Sequence, residues 1–221
     1  MTQALGFRDC SKALIEEMLA LGRARQLQRG EYLGRRGDKP TRAWLLLDGL
    51  LESVSLRSNG HRHLLGLVLP GDFFGLVCVI DGGTYSNDLS SRGESLVYGW
   101  AIEDLQALRT RHPILVQAFE KQIAFRYRLT MARLSIDSGV PLESRVASML
   151  EILADLHGKQ DGDRILLDVK LSQSDLADWL GLSRQRINFA LRQLEASGVI
   201  SLSYAALSIT NKAGLKAIAQ G

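Results

Sequence analysis

Side chains able to recognise base pairs are concentrated between residues 183 and 195 of the sequence. Ser183 opens an apolar-periodic run, and no acidic residue follows it before Glu195. The polar residues of that run are Arg184, Gln185, Arg186, Asn188, Arg192 and Gln193. Such side chains form paired hydrogen bonds with base edges in the major groove of DNA. The run predicts a base-reading helix, with a solvated surface helix as the alternative.

The residues before this run can form the elements that would position it. Ser172 and Ser183 stand eleven positions apart, and Gly181 lies between the two runs that they open. Serine caps helix N-termini, and glycine permits a left-handed turn. Two helices joined by three residues must cross steeply. Ala177, Gly181 and Ile187 fall at the spacing of a helix-turn-helix. The predicted core leucines are Leu176, Leu180, Leu182, Leu191 and Leu194.

Composition limits the class of protein more than it defines a function. The 221 residues are 46% hydrophobic, which supports real cores in one large or two small domains. The formal net charge is only +3, so the location of the charges must decide the partner. Two cysteines are too few for a disulfide framework, a structural zinc site or a four-thiolate cluster. No apolar run reaches about 20 residues, so we expect a soluble cytoplasmic protein without a membrane partner.

The spacing of glycines and apolar residues changes twice along the chain. The three stretches together predict an α+β fold. Glycines punctuate short apolar segments from about 28 to 102, which predicts a β-roll or jelly roll. Residues 103–137 contain no glycine and predict a short helix before Pro113 and then a helix of about 25 residues. Beyond a hinge at Gly139 and Pro141, moderate helices are followed by a two-stranded wing within 199–210. The expected domains are residues 1–112, 113–138 and 139–221.

The long helix has a broad apolar surface that allows two interpretations. It either packs on its own barrel or forms the seam of a homodimer, in which the same helix of two chains packs against itself. Arg126, Arg128 and Arg133 would flank that seam. The apolar residues at helical spacing are Leu115, Phe119, Ile123, Tyr127 and Leu134.

Nearly the whole chain resembles the cyclic-AMP receptor protein and FNR (CRP/FNR) family of bacterial transcription regulators. The similarity is specific at "PGDFFG" (70–75), at "LSRQRINFALRQLEASGVI" (182–200), and in the order of barrel, long helix and winged helix-turn-helix. It implies a homodimer with a cyclic-nucleotide-binding-like β-roll that senses an effector, a dimerisation helix, and two recognition helices that read an inverted repeat in double-stranded DNA. RNA polymerase is implied as a further partner.

The resemblance also assigns roles to residues of the helix-turn-helix. By position, Arg184 would read a guanine, while Gln185 stands where the family often has Glu and Phe189 where it often has Arg. Asn188 lies on the same polar face. The operator should therefore differ from the family's usual one. The residues expected to hold backbone phosphates are Ser172, Ser174, Ser183 and Arg186.

The implied effector pocket departs from a cyclic-nucleotide site. Leu76 stands where the cassette has a Glu for the ribose, and Ser86 with Asn87 stands where it has an Arg pair for the cyclic phosphate. We therefore predict that cyclic AMP is not the effector and that the β-roll takes an unidentified small molecule or none. The full pocket implied by position is Gly75, Leu76, Ser86, Asn87, Tyr127, Thr130 and Met131.

Three alternatives stay open at this point. His61 and His63 form an H-x-H pair similar to the metal motif of jelly-roll, cupin-like enzymes, but Leu65, Gly66 and Leu67 stand where the carboxylate is expected. A sensor that acts through a protein partner is the second alternative, and a haem ligated by Cys78 or a histidine is the third. Cys78 between two valines is also a small buried hydrophobe. We predict no enzyme activity, no metal and no cofactor.

Overall fold

The computed structural model describes residues 7–56, 62–134, 139–167, 171–203 and 206–221. Two compact units divide the chain, Met1–Tyr127 and Arg128–Gly221. The division falls inside the long helix. No described helix combines the length and apolar character needed to cross a bilayer.

The first unit is built mainly from short antiparallel strands. Its strands are β1 (Arg23–Leu27), β2 (Tyr32–Gly34), β3 (Arg42–Asp48), β4 (Leu51–Leu56), β5 (Arg62–Val68), β6 (Phe73–Phe74), β7 (Asp88–Ser91) and β8 (Ser95–Ala101). Its helices are α1 (Lys12–Leu21), α2 (Leu76–Asp81), α3 (Ile102–Arg111) and α4 (Pro113–Leu134), the last of which continues into the second unit. The predicted break before Pro113 is confirmed, because α3 ends at Arg111 and α4 begins at Pro113.

Two four-stranded sheets enclose an apolar interior in the first unit. Their strand orders are β1-β8-β3-β6 and β2-β7-β4-β5, with antiparallel pairing throughout. Leu46 and Val97 enter the interior from the first sheet, and Leu51 and Leu89 enter it from the second. The alternation of buried and exposed side chains along the strands therefore closes a β-roll, as the sequence predicts.

A second apolar cluster joins the helices to the roll. Phe73 stacks on Phe7 at 5.4 Å and on Trp100 at 5.3 Å between ring centroids. Phe119 of α4 packs against Phe7 and Phe73. Leu115 lies fully buried in the same cluster. The expectation that Leu115 and Phe119 form a dimer seam is therefore wrong, because both side chains fill the core of their own chain.

The long helix is also fastened to the roll by polar contacts. Arg126 Nη1 donates to the Leu67 carbonyl at 3.1 Å and to Asp72 Oδ2 at 3.2 Å. Asp72, itself buried, also accepts the Leu69 amide at 2.8 Å. Gln122, also buried, donates to the Gly71 carbonyl at 3.2 Å. These bonds hold the turn between β5 and β6 against α4.

Within the residues that the structure describes, the second unit contains several helices and a small four-stranded sheet. Besides the end of α4, its helices are α5 (Leu142–His157), α6 (Gln173–Leu180), α7 (Arg184–Ala196) and α8 (Lys212–Ala219). Its strands are β9 (Gly158–Asp161), β10 (Arg164–Leu167), β11 (Ile200–Ser203) and β12 (Ala206–Ile209), in the order β11-β12-β10-β9. The predicted wing hairpin, β11 and β12, is present.

One element of this sheet was not expected from the sequence. The structure places the β9–β10 hairpin in a stretch for which the sequence predicts moderate helices. Its four β9 residues are all exposed, so they lack the apolar alternation that marks a strand, and Gly162 turns the chain at φ 58°. The edge strand is stabilised by its pairing with β10, which in turn pairs with β12.

Candidate nucleic-acid interface and β-roll site

The first helix of the predicted pair, α6, begins at a capping box. The Ser172 hydroxyl accepts the Asp175 amide at 3.1 Å, and Asp175 Oδ2 accepts the Ser172 amide at 2.8 Å. These bonds satisfy backbone donors that the first turn of a helix otherwise leaves unpaired. Ser172 and Ser174 are both exposed at this N-terminus, where phosphate contacts were predicted.

The turn between α6 and α7 has the geometry that its residues predict. Gly181 adopts φ 66°, and the following Leu182 amide donates to the Ala177 carbonyl at 2.9 Å. Ala177 and Ile187 are buried, as the helix-turn-helix spacing requires. Trp179 is also buried and belongs to this core. Sequence reasoning missed Trp179, although its spacing of three from Leu176 is a helical signal.

The second helix, α7, separates an apolar face from a polar one. Ser183 caps it by accepting the Arg186 amide at 3.3 Å. Its buried face consists of Ile187, Ala190, Leu191 and Leu194. At about 100° per residue, Gln185, Phe189 and Arg192 lie at the centre of the opposite face. The predicted contact residues that the structure leaves exposed on α7 are Arg184, Gln185, Arg186, Asn188 and Phe189.

The electrostatics of this face favour an anionic partner. Arg184 and Arg186 lie in the first turn of α7, where unpaired backbone amides already give the helix end a partial positive charge. Exposed guanidinium groups at a helix N-terminus can approach phosphates and guanine edges without first breaking a buried ion pair. The arrangement has the chemistry of a DNA-reading surface.

Glu195 connects the end of α7 to the wing. Its Oε1 atom accepts the Leu202 amide at 2.9 Å, and its Oε2 atom accepts Arg192 Nη1 at 2.8 Å. The backbone hydrogen bond from Leu202, followed by the bond from Arg192, lowers the pKa of the Glu195 carboxyl. The sequence showed Glu195 only as the first acid of the helix. Its role as the link between α7 and β11 became visible in the structure.

The predicted effector residues of the first unit lie on two neighbouring stretches. Gly75 adopts φ 88° and precedes α2, while Ser86 and Asn87 precede β7. The ring of Phe74 stacks on that of Tyr85 at 4.9 Å, which brings the two stretches together. Ser86 is exposed and Asn87 is half-buried.

Leu76 is placed differently from a pocket-lining residue. It is only 4% exposed and belongs to the cluster formed by Phe7, Trp100 and their neighbours. The resemblance assigns Leu76 to the pocket by position, and the structure packs its side chain in the apolar core. An apolar residue at the start of α2 contributes packing here and offers no acceptor to a ribose.

Two side chains near the predicted pocket, Tyr85 and Arg92, interact with other groups of the protein. The Tyr85 hydroxyl donates to the Arg42 carbonyl at 2.9 Å, and burial raises its pKa to about 12. Arg92 Nε lies 4.0 Å from Glu52 Oε2, and Glu52 Oε1 also accepts the Ser90 hydroxyl at 3.1 Å. Arg92, the nearest arginine that could replace the missing phosphate ligand, is therefore ion-paired.

The remaining candidate residues lie on α4 or belong to the alternative haem and metal sites. Tyr127 is 63% exposed, and Thr130 and Met131, which belong to the second unit, are exposed as well. Burial raises the pKa of the Cys78 thiol, which favours its protonated form. His63 is exposed, and His61 lies outside the described residues.

Two family models match this chain, one for each functional part. Residues 24–112 match the cyclic nucleotide-binding domain, and residues 144–218 match the Crp-like helix-turn-helix domain. A β-roll of this type joined to a helix-turn-helix defines a class of DNA-binding transcription regulators.

Curated relatives and a solved structure agree with both matches. The nitrogen fixation regulation protein FixK of Bradyrhizobium diazoefficiens is 26% identical over 94% of this chain and 86% of its own. The CRP-like cAMP-activated global transcriptional regulator of Mycobacterium tuberculosis is 25% identical over 79% of this chain and 78% of its own. The fold is similar to FixK2 from Bradyrhizobium japonicum, with a TM-score of 0.72, 19% identity, and coverage of 89% of this chain and 96% of that one.

The chain belongs to the CRP/FNR family of transcription regulators. The resemblance inferred from "PGDFFG" and from residues 182–200 is confirmed, together with the α+β fold of β-roll and helix-turn-helix. The cupin-like enzyme and the sensor that acts only through a protein partner are not favoured.

Proposed function

We propose that the protein is a homodimeric regulator whose two α7 helices read the half-sites of an inverted repeat in double-stranded DNA. The observation that carries this proposal is the exposed, acid-free face of α7, capped by Ser183 and led by Arg184 and Arg186. Recognition helices of this class place their N-terminal residues against base edges, with half-sites about one helical turn apart. We also propose a cytoplasmic location, where the DNA would be reached, and assign the protein no catalytic role.

Different roles for the two arginines of the first turn follow from their positions. Arg184 is assigned to a guanine, since its guanidinium can donate two hydrogen bonds to O6 and N7. Arg186 is assigned to a backbone phosphate, with the exposed hydroxyls of Ser172, Ser174 and Ser183. Asn188 adds an amide suited to adenine, while Gln185 lies at the centre of the face.

Dimerisation is assigned to the exposed part of α4. Because Leu115 and Phe119 fill the chain's own core, the seam must use residues further along the helix. Ala124, Tyr127 and Met131 follow steps of three and four, which is the spacing of a coiled-coil seam. Tyr127 and Met131 are both exposed apolar side chains, so a second copy of α4 would bury them. RNA polymerase is proposed as a further partner of the DNA-bound dimer.

The β-roll is proposed to respond to a ligand other than a cyclic nucleotide, or to none. A cyclic phosphate leaving water must be compensated by cations or converging donors. Ser86 and Asn87 supply neutral donors, Arg92 is paired with Glu52, and Leu76 is buried in the core. The match to the cyclic nucleotide-binding domain supports the fold of the sensor domain, whereas the ligand depends on these side chains.

Titration with cyclic AMP tests the effector proposal. At about 1.5–3 kcal/mol for each charged hydrogen bond missing, affinity should fall by two or three orders of magnitude relative to a complete cassette. We expect no heat of binding in isothermal titration at millimolar cyclic AMP. A micromolar dissociation constant accompanied by tighter operator binding would show that the phosphate site is rebuilt by other residues.

Selection from random duplex DNA, followed by quantitative binding, tests the DNA-reading role. Arg184→Ala should cost about 1–3 kcal/mol on the selected operator and relax preference at one base pair. Arg186→Ala should weaken operator and random DNA alike and reduce the slope of log K against log salt by about 1.

The two variants serve as controls for each other, since they lie in the same turn of the same helix. Failure to enrich any sequence would contradict operator binding itself. Equal losses for both variants on operator and random DNA would contradict the assignment of Arg184 to base reading.

A further inference from the structure

Phe189 is an apolar side chain at the centre of a polar face. It is 56% exposed, the highest exposure of any large hydrophobic residue among the described residues of 128–221. Its neighbours on the exposed side of α7 are Gln185, Asn188 and Arg192. More than half of the phenyl ring stays in water in the folded chain, so a partner that covers it would bury further apolar surface.

The position of Phe189 on α7 places it at the proposed DNA surface. It lies one turn after Gln185, and a helical side chain covers the surface over the turn that precedes its own Cα. The ring therefore lies over the turn that begins with Arg184 and Gln185. In a recognition helix, this turn is the part that enters the major groove.

The chemistry of a phenyl ring restricts what it can recognise there. Three of the four bases present mainly polar atoms at the major-groove edge, whereas thymine also presents a 5-methyl group. A ring placed against a cytosine amino group or a guanine carbonyl would leave that group without a hydrogen bond. Contact with a thymine methyl buries apolar surface on both sides.

We propose that Phe189 reads a thymine in each operator half-site by packing against its 5-methyl group. This inference rests on the proposed function of α7 as the recognition helix. It makes Phe189 a specificity-determining residue, and it predicts an operator that carries a thymine where an arginine at this position would select a guanine.

Replacement of single thymines by deoxyuridine tests this proposal, because the change removes only the methyl group and keeps every base-pair hydrogen bond. The operator is first selected from random duplexes, and each thymine is then replaced in turn. At about 0.8 kcal/mol per buried carbon, one thymine per half-site should show about a fourfold loss of affinity when replaced. Replacement of the symmetric pair should give roughly a sixteenfold loss.

The protein variants show whether the methyl effect passes through Phe189. Phe189→Ala should bind the thymine and deoxyuridine operators equally well, whereas Phe189→Leu should retain part of the difference. Thymines elsewhere in the operator supply the matched control, since their response to deoxyuridine should be the same in wild type and Phe189→Ala.

Each other outcome has a distinct meaning. If no operator can be selected, the proposed function fails, and the thymine contact that rests on it fails with it. If an operator is found but Phe189→Ala keeps the full methyl effect, or wild type shows none, the thymine contact is wrong while operator binding stands. A loss of affinity in Phe189→Ala without any methyl effect would likewise reject thymine reading and indicate that the ring contacts another group.

Discussion

Tyr85 shows how a single side chain joins the two stretches of the predicted effector pocket. Only 6% of it is exposed, its ring stacks on Phe74, and its hydroxyl donates to the Arg42 carbonyl. Burial favours the neutral phenol, so the pKa rises from 10.0 to about 12. A residue next to Ser86 is thus part of the core of the roll, and it fixes where the neighbouring polar side chains lie.

The raised pKa of Tyr85 predicts a specific loss of stability at alkaline pH. The unfolded tyrosine ionises from about pH 10, whereas the folded one stays protonated until about pH 12, so its contribution is complete below pH 10 and declines above it. Between pH 9 and pH 11 the wild type should lose about 1 kcal/mol more than Tyr85→Phe, measured by urea unfolding at a series of pH values.

Tyr85→Phe is the matched variant because it keeps the stacked ring and removes only the hydroxyl. At pH 7 it should be less stable by about 1 kcal/mol through loss of the bond to Arg42. Parallel stability curves for the two proteins from pH 9 to pH 11 would show that the phenol does not ionise differently in the folded state.

At the scale of elements, the long helix is joined to the roll by polar bonds as well as by its apolar face. Arg126 bonds to the Leu67 carbonyl near the end of β5, and Gln122 bonds to the Gly71 carbonyl in the turn that follows. The Asp72 carboxylate is shared by Arg126 and the Leu69 amide. Replacing Arg126 leaves the buried Asp72 carboxylate without this partner, so the cost includes an unpaired charge as well as the lost bonds.

Arg126→Met tests whether these polar bonds stabilise the attachment of α4 to the roll. Methionine keeps helix propensity and most of the side-chain volume, and the free energy of unfolding should fall by about 2 kcal/mol. Arg128→Met is the control, because Arg128 is exposed on the same helix and its replacement should change stability by less than about 0.5 kcal/mol. Similar effects of the two substitutions in chemical denaturation would contradict a special role for Arg126.

The elements that sequence predicted well are those with strong local signals. The serine caps, Gly181 and the apolar period between them define α6 and α7, and the structure confirms both helices. The β9–β10 hairpin was missed because its exposed strand has no apolar alternation and depends on long-range pairing with β12. The burial of Leu76 could not be predicted for a related reason, since only the tertiary core shows that α2 turns this side chain inward.

At the scale of the whole molecule, the proposed dimer depends on the exposed apolar residues of α4. Tyr127→Glu would place an unpaired charge in the seam of both chains. We expect the dimer dissociation constant to rise by about three orders of magnitude, roughly the loss of two buried side chains. Sedimentation or light scattering across a dilution series measures this change.

Tyr127→Phe is the control for the dimer, since it keeps the apolar ring and should dimerise like wild type. Operator affinity should fall in parallel with dimerisation in Tyr127→Glu, because each half-site alone offers only half of the contacts. An intact dimer in Tyr127→Glu at low concentration would place the seam elsewhere. The helical period alone selected a seam that included Phe119, because it does not show which apolar positions the chain's own core already uses.

The edges of the small sheet in the second unit affect how readily the protein aggregates in concentrated solution. The strand order puts β9 and β11 at its two edges, where free amides could pair with a strand of another molecule. On β11, the Leu202 amide is already occupied by Glu195. On β9, the four residues Gly158–Asp161 are all exposed and include Lys159 and Asp161. Charged, short or covered edges resist fibril-like stacking, so Glu195→Ala should promote precipitation of the protein on storage, even where the helix-turn-helix stays folded.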